Sequence, residues 1–250
     1  MATEASRAAA KVESEGAAQT VESGPGELIP SAADPGLSED SALALLHRPD
    51  LAPEALESLS KNSGVVHSRK VRAGIVGHPK TPRHVSLPLL RHLYTFDLMQ
   101  VALTPVVPAD VKRAAEEILA NKLGSISSGE RLTLARRASA RIAGELLGDD
   151  DARVMHAALG NSRLTEALVI KAVVRHDARA GLVEAVCHHS KWSVRREVRI
   201  ALLRSNKTPL ARALEFARTL PGRLVREILQ NSRLPASTKA SITKEIEQGK

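Results

Sequence analysis

Four cations crowd one short stretch of the chain, Lys191, Arg195, Arg196 and Arg199, with Trp192 among them. Read as a helix from Lys191 to Arg204, three of them follow i, i+4, i+8 and share a face, while Val194, Val198, Ala201 and Leu202 make an apolar stripe on another. A ridge of that kind can meet phosphates at regular spacing, and Lys207, Arg212, Arg218, Arg223, Arg226 and Arg233 would extend it. The solvated face of any basic protein carries the same pattern. Trp192 has two uses open to it: stacking a base or holding a cation, or stapling the start of its helix onto the preceding pair. The candidate ligand-binding residues are therefore Lys191, Trp192, Arg195, Arg196 and Arg199.

Other groups of reactive side chains promise less. Cys187, His188 and His189 are adjacent, yet successive helical positions point about 100° apart and cannot converge on one metal without help from His176 or His156. Asp149-Asp150-Asp151 lacks the Gly and Glu framework of a calcium loop and reads equally as a helix start. Arg136-Arg137-Ala138-Ser139 matches a basophilic kinase substrate, but Ser139 falls in an apolar stripe. No nucleophile elbow, phosphate-cradling loop or paired acid set occurs. The expectation is a protein with no catalytic residues, no cofactor and no metal.

The charge that makes these cations conspicuous is unevenly spread. Residues 1–40 hold 2 Lys or Arg against 8 Asp or Glu, so the other 210 residues hold 34 against 20. The acidic segment is rich in Ala, Ser, Gly and Pro and poor in large apolar side chains, which predicts a disordered tail over residues 1–40. From Ser41 onward Leu, Ile, Val and Ala are plentiful while aromatic residues number four: Tyr94, Phe96, Trp192 and Phe216. That composition suits close helix packing rather than strands. With one cysteine, no apolar leader and no apolar run near 20 residues, the expected setting is the reducing cytoplasm, away from membranes.

The elements that would position these side chains are amphipathic helices separated by a recurring phrase. Its copies are His78-Pro79-Lys80-Thr81-Pro82, Asn161-Ser162-Arg163-Leu164-Thr165, Ser205-Asn206-Lys207-Thr208-Pro209 and Asn231-Ser232-Arg233-Leu234-Pro235, with a looser one from Arg48 to Pro53. Each sets a helix stop beside a helix start, since a polar residue closes one helix and Thr, Ser or Pro suits the first turn of the next. A single helix is expected from Glu130 to Leu147, another from Ala109 to Asn121, an irregular stretch from Leu98 to Pro108, and a kink or split at Pro88. Punctuation repeating between helices implies a solenoid.

The phrase resembles that of the leucine-rich repeat variant family, a HEAT-like α-solenoid whose units carry Asn-Pro-x-Thr-Pro before Leu-rich helices. The likeness is clearest at residues 78–85, 161–168 and 205–214. It implies an all-α, right-handed α-solenoid over residues 41–250, and the family's iron–sulfur cysteines have no counterpart in this chain. A solenoid offers an extended surface. The leading expectation is a non-enzymatic scaffold for a protein partner. The alternative is nucleic-acid binding through the C-terminal basic helices with the acidic tail as internal competitor; a HEAT-like DNA glycosylase is a more distant third reading.

Overall fold

The computed structural model describes residues 28–248, with side chains from Ser31 onward. Among these residues the regular elements are α-helices, sixteen of them. The first six are α1 (Leu28–Ala33), α2 (Glu39–Leu46), α3 (Pro53–Lys61), α4 (Arg69–Gly77), α5 (Arg83–Leu90) and α6 (Thr95–Leu103). Next come α7 (Ala109–Lys122), α8 (Ser128–Arg137), α9 (Ala140–Leu146), α10 (Ala152–Leu159) and α11 (Glu166–Val174). The last five are α12 (Ala180–His188), α13 (Arg196–Arg204), α14 (Leu210–Arg218), α15 (Gly222–Gln230) and α16 (Ala236–Gln248). None is long and apolar enough to cross a membrane.

Most of these helices have ten residues or fewer, too short to persist alone in water, so their stability must come from packing. Each packs on a helix two places along the chain, and most also pack on a sequence neighbour. α5, α7, α9, α11, α13 and α15 thereby form one continuous layer. The second layer runs in shorter stacks, α2 with α4 and α6, α8 with α10 and α12, and α14 with α16. Between the layers lie two cores: one runs from Ala32 to Val85, the other from Val76 to Ile242, and Leu89 packs against both.

The repeated phrase has a physical role that its residue types explain. Asn161 is buried; its Nδ2 donates to the carbonyls of Ala135 (2.8 Å) and Ala138 (3.2 Å), and its Oδ1 accepts from the Arg163 amide (2.8 Å). Asn62 repeats the pattern, donating to Ala32 and Asp34 and accepting from the Gly64 amide. At His78, Nε2 donates to the Arg48 carbonyl and Nδ1 accepts the Lys80 amide, which fixes the tautomer. One polar side chain thus closes its own turn and satisfies the orphaned carbonyls at the end of a helix one repeat earlier. The fourth position of the phrase is buried whether it is Thr81, Thr208, Leu164 or Leu234. Where it is Thr, its hydroxyl also donates to the preceding helix, at Ile75 O (2.5 Å) and Leu202 O (2.6 Å).

Several expectations need correction. Glu130 to Leu147 is two helices, α8 and α9, broken at Ala138-Ser139, because the side chain of Asn161 captures carbonyls that would otherwise serve one continuous helix. The stretch from Leu98 to Pro108 is helical through Leu103, as the later part of the regular helix α6, and Pro105 and Pro108 lie past its end. Pro88 does sit inside a helix, which stops two residues later. The expected disordered tail over residues 1–40 is too long at its C-terminal side: α1 and the first two residues of α2 fall within it, and Ala32 is fully buried. The rest of that tail, residues 1–27, lies outside the described residues.

Candidate functional site

The expected basic helix begins five residues late. Lys191, Trp192 and Arg195 precede α13, Arg196 is its first residue, and Arg199 alone of the five lies within its body. The reason is local. His189 Nδ1 accepts the Lys191 amide (3.1 Å) and the His189 carbonyl accepts from the amides of Trp192 and Ser193, so the chain makes tight turns before it can enter a helix. Val194, expected in the buried stripe, is 60% exposed. The i, i+4, i+8 ridge therefore does not exist.

The five residues also divide by surroundings. Trp192 is 2% exposed and its Nε1 donates to the Leu159 carbonyl (2.9 Å), tying the turn before α13 to the end of α10. It packs rather than stacks a ligand. Lys191 lays its ammonium over the outer face of that ring, 4.2 Å from the centroid. Arg199 is half-buried: its Nε donates to the Ser193 carbonyl (2.7 Å), and its guanidinium stands 5.7 Å from the centre of Phe216. Arg195 and Arg196 remain exposed, with Glu197 3.9 Å from Arg196.

The histidine and aspartate clusters are structural. Cys187 is buried, and burial pushes its thiol up to about 11. His189 is held below the usual imidazole range, first by burial and then by Lys191. Among the described residues no three of His, Cys, Asp and Glu are placed to share a metal ion. The three aspartates instead join three helices. Asp151 caps α10 and accepts from Arg153 and Ser128, which hold its carboxyl well below the ordinary range. Asp149 lies 2.7 Å from Arg131 of α8, and Asp150 pairs with Arg179 at the start of α12.

What sequence reasoning missed is a groove along the continuous layer. Its larger part, of about 430 Å³, lies between α9, α11 and the start of α12, over Leu168, Ala172 and Leu182. Gly144 makes the approach possible, since a Cβ there would stand 3.2 Å from Leu168. Lys171, Arg175 and Arg179 line it with Glu145 and Asp177. A smaller cleft of about 100 Å³ shares Arg175 and Ala178 with it and continues to Arg204, Asn206, Asn231 and Arg233. Arg175, Arg204 and Arg233 are 29 residues apart and stand near the C-terminal ends of α11, α13 and α15, where a cation also complements the helix dipole. The Arg233 amide donates to the Arg204 carbonyl (3.0 Å), locking two of these repeats together. That constant spacing was the available signal; four adjacent cations distracted from it.

Comparison with protein-family models, curated proteins and solved structures gives no match to this chain.

Proposed function

We propose that this protein is a non-enzymatic helical-repeat scaffold, a right-handed α-solenoid of HEAT-like units that binds a protein partner in the cytoplasm. The observation that supports this best is the groove along α9, α11 and α13. It follows the one layer that is continuous, where a partner segment could be held across several repeats. Its walls combine faces of α9 and α11 with the turns that follow α11, α13 and α15, and the bond from the Arg233 amide to the Arg204 carbonyl ties two of those repeats together.

Affinity capture with the full chain tests the reading. A partner recovered in stoichiometric amount, and lost when the partly exposed Leu168 of the groove is replaced by Asn in a chain that keeps its helicity, is the expected result. Equal recovery by both forms, with the variant still helical, would remove the groove from the binding site.

Nucleic acid keeps one specific support, the exposed and weakly paired Arg195 and Arg196. Neutralising both to Gln should reduce the salt slope of duplex binding by roughly two units if they contact phosphates. An unchanged slope would dismiss them as phosphate contacts. The more distant glycosylase reading gains nothing from Trp192, which is buried.

A further inference from the structure

We infer that the groove and the adjoining cleft take an acidic peptide segment, one that presents carboxylates at intervals with apolar side chains between them. This rests on the scaffold reading and adds the chemistry of the partner. Five cations line the two cavities, Lys171, Arg175, Arg179, Arg204 and Arg233, against two carboxylates, Glu145 and Asp177. Arg204 and Arg233 have no side-chain partner among the described residues. Arg175 is paired with Asp177, and Arg179 with Asp150, but each keeps about half of its side chain exposed, 55% and 49%, and can turn toward an incoming carboxylate.

The cations alternate with apolar ground. Val174, 40% exposed, sits in the cleft between Arg175 and Arg204, and Leu168, Ala172 and Leu182 floor the larger groove. Carboxylates accept bidentate hydrogen bonds from guanidinium groups, and the partly exposed Leu168 and Val174 offer apolar contact to side chains between them. A nucleic acid fits less well. No aromatic side chain lines either cavity for a base to stack on, and Glu145 and Asp177 would face its phosphates. Asn206 and Asn231 add amide donors for a peptide backbone at the cleft end.

The test uses the full chain and three fluorescein-labelled probes. One is a twelve-residue peptide with alternating glutamate and leucine, the second has lysine in place of glutamate, and the third is a twelve-base-pair DNA duplex. Saturable binding of the acidic peptide should weaken about ten-fold, ~1.4 kcal/mol, in the Arg204→Gln/Arg233→Gln variant, because each lost rim contact is worth a few-fold. Lys171→Gln at the far end should weaken it less, and serves as the second variant should the first lose helicity. The proposal falls if the lysine peptide binds as well as the acidic one, if both variants hold the acidic peptide like the parent, or if the duplex binds more tightly and responds to the same substitutions. A captured partner that occupies the groove through a segment without carboxylates would also overturn it, while leaving the scaffold reading in place.

Discussion

Replacing Asn161 by Ala tests the idea that the repeated phrase fastens one repeat to the next. The side chain makes three hydrogen bonds, to Ala135 O, Ala138 O and the Arg163 amide, and is 2% exposed. Alanine would leave two carbonyls at the end of α8 without their buried donor and free the turn before α11. At roughly 1 to 1.5 kcal/mol for each bond, the loss is about 3 to 4.5 kcal/mol. Urea unfolding should be followed by far-ultraviolet circular dichroism and by the fluorescence of Trp192, the single tryptophan. Its ring nitrogen is bonded to Leu159, two residues from the substituted position, so it reports on this repeat. The Ser162→Ala variant is the control: Ser162 is exposed, and its loss should change stability by about 0.5 kcal/mol or less. A loss below 1 kcal/mol for Asn161→Ala, or one equal to the control, would refute the fastening role.

Three further outcomes follow from other contacts. Trp192→Phe should keep most of the packing and lose the bond to Leu159, for about 1 to 2 kcal/mol, whereas Trp192→Ala should lose about 3 to 5 kcal/mol; similar small losses from both in thermal melts would contradict its burial. Cys187, with its thiol raised to about 11, should react with a disulfide reagent at pH 8 far more slowly in the folded chain than in denaturant. Because the unfolded thiol ionises near 9 and the folded one near 11, folding stability should fall as pH rises through that window, and a Cys187→Ala variant should lose less. A chain beginning at residue 41 should be less stable than one beginning at residue 28 by about 2 to 3 kcal/mol, since Asn62 then loses both carbonyl partners and Ala32 leaves the core; equal urea midpoints would deny α1 a structural role.

Much of the helical pattern was legible because it is local. The stripe of α7 is written in neighbouring residues, and that helix stands within a residue of expectation. What could not be read was decided at a distance of about one repeat. The break between α8 and α9 depends on Asn161, more than twenty residues downstream, and no feature of Ala138-Ser139 itself announces it. The same holds for the basic segment. Its periodicity is helical from Lys191, but Trp192 reaches back to Leu159, and the turns that allow this delay α13 until Arg196. The candidate ridge was lost with it. The groove was hidden because its cations belong to separate repeats, and only the constant spacing of Arg175, Arg204 and Arg233 hints that they meet.

The scaffold reading is tested most directly by placing a photoreactive phenylalanine analogue at position 171, in the groove, and in a second preparation at position 113, an exposed site on α7 outside it. Both full-length proteins are irradiated in native lysate. A discrete crosslinked protein at position 171 that is absent at position 113 and suppressed by Leu168→Asn in a chain that keeps its helicity is the predicted result. Equal crosslinking at the two positions, or none at 171 under conditions where affinity capture recovers a partner, would contradict it.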